Sequence, residues 1–329
     1  MLRSVRFYSL GTDWPSSEQE LSDKLAKAAF KPCGPYVERS SGFEPPVSAQ
    51  PELFARRVAG TDLVRLRSQV RVLPAGALNE ALEARLDEYR ARMQEEPGRR
   101  TKRQLKEQMR DELLPKTLVR SERTTALFIL SERVLAVGTG SESRADRVVE
   151  HLRAALGNLD AKPLELARPY GELLTRVFTG NGPRELVLAR ECRLRELRDE
   201  HGTVRWQNVD LAHATVQRCL KDDMELTHLG FELGSTARAV LDARGVVTKL
   251  ELLGQDALAE GNEDALARQD AETALIGGTL RELLAVLRRA LGSEAAAAPR
   301  RPAASEPLAA DGAPLGAGAA PPHLSLVTA

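Results

Sequence analysis

The chain has 329 residues with 47 basic and 47 acidic side chains, a formal net charge of zero, so it is no bulk polycation drawn to every polyanion. Hydrophobic residues make up 42% and aromatic ones only 4%, which allows a core of Leu, Val and Ala but argues against a row of base-stacking rings. No apolar run approaches the ~20 residues of a membrane span. The N-terminus is too polar for a secretory signal, and Cys33, Cys192 and Cys219 form no CxxC pair, which together point to a cytoplasmic protein with idle thiols.

In chain order, "LRSVRFYSL" (2–10) alternates as a first strand. "SSEQELSDKLAKAAF" (16–30) follows as a helix, with Ser16 or Ser17 as cap and Gln19 or Glu20 placed for a capping box. The Pro, Gly and Ser density of "KPCGPYVERSSGFEPP" (31–46) predicts a structured loop. In "LVRLRSQVRVL" (63–73), Val64, Leu66, Val70 and Val72 share one face of a strand, and Arg65, Arg67, Gln69 and Arg71 share the other. Leu78, Leu82, Leu86, Tyr89 and Met93 predict an amphipathic helix over 76–95, stopped by Pro97-Gly98. A second helix follows, with Thr101 and Gln104 as a capping box, Leu105, Met109 and Leu113 on its apolar seam, and Pro115 at its end. Two helices joined in this way predict an antiparallel helical hairpin.

"TTALFIL" (124–130) and "RVLAVG" (133–138) predict a β-hairpin, and "RADRVVEHLRAALG" (144–157) a helix ending at Gly157. "NLDAKPLELARP" (158–169) is placed as a domain boundary. Beyond it come a strand at "TVRW" (203–206), a helix around 210–222, and the strand "ELTHLGFEL" (225–233). A hairpin over 237–252 turns near 242–245, and two helices close the fold, the last being "GTLRELLAVLRRALG" (278–292). Leu280, Leu283, Leu284, Leu287 and Leu291 on that helix suit either a dimer interface or the chain's own core. The Ala- and Pro-rich segment 295–329 has little to bury and is expected to be disordered. The expected class is α+β: antiparallel sheets with packed helices and a helical-hairpin protrusion at about 76–123. The division is an N-terminal domain (1–157), a C-terminal domain (158–294) and the tail.

Zero net charge hides a split. Residues 53–75 hold five arginines against Asp62, residues 99–123 hold nine basic side chains against four acids, and residues 251–294 hold nine acids against four arginines. The expected anion-binding residues are Arg65, Arg67 and Arg71 on the strand, Arg99, Arg100, Lys102, Arg103 and Lys106 at the second helix start, and then Lys116 and Arg120. A solvated charged face is the plain alternative. The sequence has no phosphate-binding GxxxxGK[ST] loop and no His/Cys set at metal-ligand spacing, and no Ser or Cys sits in a nucleophile motif. His228 reads as a hydrogen-bonded structural histidine. The expectation is therefore no enzyme, no metal and no cofactor.

Several short stretches resemble, in order and spacing, the recombination-associated RdgC family: "AFKPCG" (29–34), "GFEPP" (42–46), "ELLPK" (112–116), "LRAALGNLDAKPL" (152–164), "VDL" (209–211), "VVTKLEL" (246–252) and the terminal "ALGSE" (290–294). The resemblance covers about 1–294. It implies a nucleoid-associated bacterial protein that binds duplex DNA with little sequence preference. It also implies a homodimer closed into a ring with a basic hole, restraining the RecA recombinase mostly by competition for DNA. Two positions depart from the pattern: Leu118 stands where the family has an aromatic, and Asn208-Val209 where it has a basic–polar pair. Two other readings remain open: a homodimeric interaction scaffold without DNA, and a metal-dependent nuclease with a dispersed site.

Overall fold

A computed structural model describes residues 2–196, 202–218, 224–253 and 264–293. Twelve strands form one hydrogen-bonded network in which every strand pairing is antiparallel, and seven α-helices pack on it among the described residues. Strand β1 (Ser4–Leu10) is its middle. Ser4 and Val5 pair with Thr248 and Val247 of β12 (Val247–Leu252), while Arg6 to Ser9 pair with β6 (Val134–Val137). One branch runs from β6 through β5 (Leu118–Ile129) and β4 (Thr61–Val72) to β2 (Arg39–Glu44), with β3 (Ala55–Val58) on β4 and β7 (Ala161–Pro163) on β1. The other runs from β12 through β11 (Ala237–Asp242), β10 (Met224–Leu233) and β8 (Leu186–Glu196) to β9 (Thr203–Gln207).

The side-chain period of two explains why β6, "VLAV", is buried at every position. Leu135 and Val137 face a core shared with α1 (Glu18–Ala26) and α4 (Glu142–Leu156); Val134 and Ala136 face the opposite core, under α5 (Tyr170–Phe178) and α7 (Ala265–Leu291). Helix α1 is capped as the sequence predicts: Ser17 Oγ accepts from the Glu20 amide at 3.1 Å, and the Ser16 amide donates back to Glu20 at 3.0 Å. Lys24, with further help from Ser16, holds the Glu20 carboxyl down to about 2. Gly157 closes α4 at φ +86°.

The structure departs from the sequence reading in several places. The segment 31–46 contains a strand, β2, because Gly42 lets the chain pass over it: a Cβ there would lie 2.5 Å from Phe30 Cα. β3 has no counterpart in the reading. Helix α3 (Arg99–Leu113) begins after Gly98 with no side-chain cap, and Thr101 lies inside its first turn. The last helix starts at Ala265 rather than 278 and runs through Gly277-Gly278; at Gly277 the small residue admits Thr61, whose Oγ1 is 2.5 Å from where a Cβ would stand. Its five leucines are each at most 1% exposed and belong to the chain's own core, which takes that stripe out of any interface. Of the helix expected around 210–222, α6 (Ala214–Arg218) is seen. The two closing helices expected after the 237–252 hairpin are one continuous helix among the described residues, and residues 219–223 with Cys219, residues 254–263 and the tail 295–329 lie outside the described residues.

Candidate nucleic-acid interface

The expected basic residues cluster around one ladder. β4 and β5 pair over twelve positions, from Thr61↔Ile129 to Val72↔Leu118, and the chain between them forms α2 (Ala75–Met93) and α3. These two helices therefore sit beyond the far end of the ladder. They touch each other, with Arg85 reaching Glu112 at 3.2 Å, but Leu86 is the only buried residue of α2 and Met109 the only one of α3. The seam read as amphipathic is thus mostly half-exposed, and Met93 is exposed. Little apolar area holds α2 and α3 to the rest of the fold. Leu86 and Met109 belong to neither core cluster, and the Arg110–Glu38 ion pair ties α3 to the loop ahead of β2.

At the start of α3, Arg99, Arg100, Lys102 and Lys106 are exposed and have no ion-pair partner among the described residues; Lys116 is the same. Arg103 reaches only Glu107, at 3.2 Å, with 84% of its side chain exposed. An exposed pair of this kind is weak and is readily exchanged for a phosphate. The free N–H groups of the helix start add positive potential in the same place. Leu118, at the root of β5, is 84% exposed beside Val72 and Val119.

The strand arginines are placed differently. Arg65, Arg67 and Arg71 do share one face of β4, but none is fully open to solvent. Arg65 lines a cavity of about 280 Å³ under α7; burial, joined by the charge of Arg123, pulls its pKa down against the opposing pull of Glu44. Arg67 stacks over the Phe30 ring at 4.6 Å and reaches Glu44 at 3.7 Å. Arg71 is a latch: its Nε donates to Gly34 O at 2.9 Å, and its terminal nitrogens lie 3.3–3.4 Å from the carbonyls of Cys33, Leu114 and Thr117. It ties the 33–34 loop to the junction of α3 and β5. The expectation that this face is a simple outer surface is corrected here, because the 28–34 segment crosses it. Arg71→Gln should cost about 1–3 kcal/mol of stability through lost charge-assisted hydrogen bonds. A denaturant midpoint equal to that of the parent protein would show that water replaces the latch.

Two of the five arginines in 53–75 serve tertiary pairs instead. Arg56 binds Asp270 of α7 through two hydrogen bonds of 3.0 and 2.6 Å, and Arg57 binds the fully buried Asp62, which also accepts from Trp14 Nε1 at 2.7 Å. Part of the charge split is therefore internal complementarity.

The other face of the same ladder gathers Arg120, an expected site residue, with Arg39, Arg144 and Arg147, which the sequence reading does not single out. Register places Arg39, Val70 and Arg120 in one row, and Ser41, Ser68 and Glu122 in the next. The first turns of α4 put Arg144 and Arg147 beside these rows, around a cleft of about 260 Å³. The only local signal is the i, i+3 spacing of Arg144 and Arg147. At the opposite end of the sheet, Asn208 adopts φ +56°, a conformation Asn tolerates better than Lys or Arg. His228 Nδ1 lies 3.1 Å from Thr227 Oγ1, and burial lowers its pKa. Among the described residues no three His, Cys, Asp or Glu side chains converge as metal ligands, and no helix is long and apolar enough to cross a membrane.

The fold and its surface define an α+β protein with a large antiparallel sheet and unpaired basic clusters at one end of its longest ladder. The family model described as "Putative exonuclease, RdgC" matches residues 1–294. The chain is 29% identical over 297 residues to the recombination-associated protein RdgC of Pseudomonas aeruginosa, spanning 89% of this chain and 97% of the relative. It is 28% identical over 300 residues to the Shewanella oneidensis protein of the same name (88% and 97%), and 29% over 294 residues to that of Laribacter hongkongensis (89% and 98%). The chain belongs to the RdgC family of recombination-associated proteins.

Proposed function

We propose that this protein binds duplex DNA without sequence preference and modulates homologous recombination by occupying DNA, so restraining the RecA recombinase. The observation that carries this reading is a contrast in pairing. Many arginines of this neutral chain are tied to a carboxylate or a carbonyl, whereas Arg99, Arg100, Lys102, Lys106 and Lys116 stand exposed without an ion-pair partner among the described residues. Such side chains on helical and ladder ends suit phosphates, which fix position and carry no base information. Membership of a recombination-associated family supports DNA as the polyanion. The contacts proposed are Arg99, Arg100, Lys102, Arg103, Lys106, Lys116 and Arg120, with Arg65, Arg67 and Arg71 contributing mainly their field. The 76–123 segment is the protrusion that carries them, within an N-terminal part taken as 1–157, and 158–294 is the supporting part. Nucleoid association and the ring-shaped homodimer rest on the family resemblance; the dimer needs surfaces other than the leucine stripe of α7. No catalytic role is assigned.

The test is a salt titration of binding to several unrelated duplexes, with mass measured in solution. For Z neutralised phosphates, log K should fall against log salt with slope about −0.9Z. A flat response or a strong preference for one sequence overturns the reading. Magnesium-dependent shortening of the DNA would instead support the exonuclease named in the family description.

A further inference from the structure

We propose that the cleft between the β2–β4–β5 rows and the start of α4 is a phosphate seat for the duplex backbone, and that Glu122 is its built-in competitor. This rests on the duplex-binding reading and goes beyond it by assigning a site and a device. Four guanidinium groups, of Arg39, Arg120, Arg144 and Arg147, line one cleft with the hydroxyls of Ser68 and Ser143. One carboxylate faces them. Glu122 Oε1 lies 2.8 Å from Arg144 and 3.9 Å from Arg120. Arg39 and Arg147 have no ion-pair partner among the described residues, so the cleft holds four positive charges against one negative. Burial lowers the Arg147 pKa, and the charges of Arg39 and Arg144 lower it further against the opposing pull of Glu122 and Glu150.

The strand register makes the arrangement rigid. Arg39 and Arg120 flank Val70 in adjacent strands, and Ser41 Oγ donates to Ser68 Oγ at 2.9 Å in the row below. Tyr8 OH, donating to Asp146 at 3.1 Å, ties α4 to the central strand between the two helical arginines in sequence. Arginine suits this task because its planar fork can grip two oxygens of one phosphate. In the free protein the Glu122 carboxylate takes the place such oxygens would fill on Arg144. Binding a phosphodiester exchanges that ion pair for a phosphate contact, so Glu122 lowers affinity for any duplex and limits residence.

The experiment measures duplex affinity and salt slope by fluorescence anisotropy for the full chain, for R39Q/R147Q and for E122Q, with thermal unfolding as a control. Neither Arg39 nor Arg147 holds a tertiary ion pair among the described residues, so R39Q/R147Q should fold, and thermal unfolding reads what E122Q loses with the Arg144 pair. R39Q/R147Q is expected to lower the slope by about one unit per arginine and to weaken binding to all duplexes alike. E122Q is expected to bind several-fold more tightly. If the parent protein binds DNA with a salt slope while R39Q/R147Q matches it, the phosphate seat is overturned and the duplex reading stands. If E122Q binds no better than the parent, the competitor is overturned. Should the parent bind no duplex at all, the duplex reading fails, and inorganic pyrophosphate becomes the probe. A pyrophosphate-induced rise in unfolding temperature that R39Q/R147Q loses would then support an anion site fed by a free phosphate; no rise would overturn the site itself.

Discussion

Replacing Leu287 with Asp should unfold the protein outright. Leu287 is fully buried in a cluster that includes Leu280, Leu283, Leu284 and Leu291 of α7 and reaches the inner faces of β1, β4, β5 and β6. Loss of a buried leucine alone costs about 2–5 kcal/mol, and the carboxylate adds the penalty of an unpaired buried charge. The sum rivals the ~5–15 kcal/mol by which a whole domain is stable. Circular dichroism and size-exclusion chromatography report the result directly. A folded variant, monomeric or not, would mean that α7 can leave the sheet without loss of the fold.

The second large effect concerns the start of α3. Neutralising Arg100, Lys102 and Arg103 together should weaken binding to every duplex alike and reduce the salt slope by about one unit for each lost contact, so that the deficit is greatest at low salt. Stability should change little, because all three are exposed and, among the described residues, only Arg103 has an ionic neighbour. The final helix is a poor control for this change. Arg281 donates to Ala59 O, Arg288 pairs with Glu132 and Arg289 with Glu185, so neutralising them cuts tertiary ties as well as charge. Exposed Arg3, Lys27 and Arg184, which have no ion-pair partner among the described residues, supply an equal loss of charge without that complication. Unchanged affinity and slope in the α3 variant would make this helix start a solvated face.

Much of the fold was legible because local periodicity decided it. The alternation of β4, the hairpin of β5 and β6, the Gly157 stop and the serine cap of α1 are each set by neighbours in the chain. What local pattern could not show was covering and register. Arg71 looks like an outward residue of a half-buried strand, and only the path of the 28–34 segment reveals that it grips backbone carbonyls. Arg39, Arg120 and Arg144 come from three separate elements, and no period within any of them brings them together. β2 was hidden by Pro, Gly and Ser, which there permit a close crossing instead of a turn. The helical stripe of α7 was legible as apolar but silent about its partner, which proved to be the chain's own sheet.

The double pairing of β1 has a consequence for how the molecule comes into being. β1 joins Ala136 through Phe7 and Val247 through Val5, partners that lie progressively later in the chain. Closing loops of that length is entropically costly and slow, and a high contact order delays folding. β1 feeds Val5 and Phe7 into one core and Tyr8 and Leu10 into the other, apolar surface that stays uncovered, and prone to wrong association, until its partners arrive. The strand at the centre of the sheet thus precedes both of its partners in the chain, and its two ladders can close only once β6 and then β12 are present.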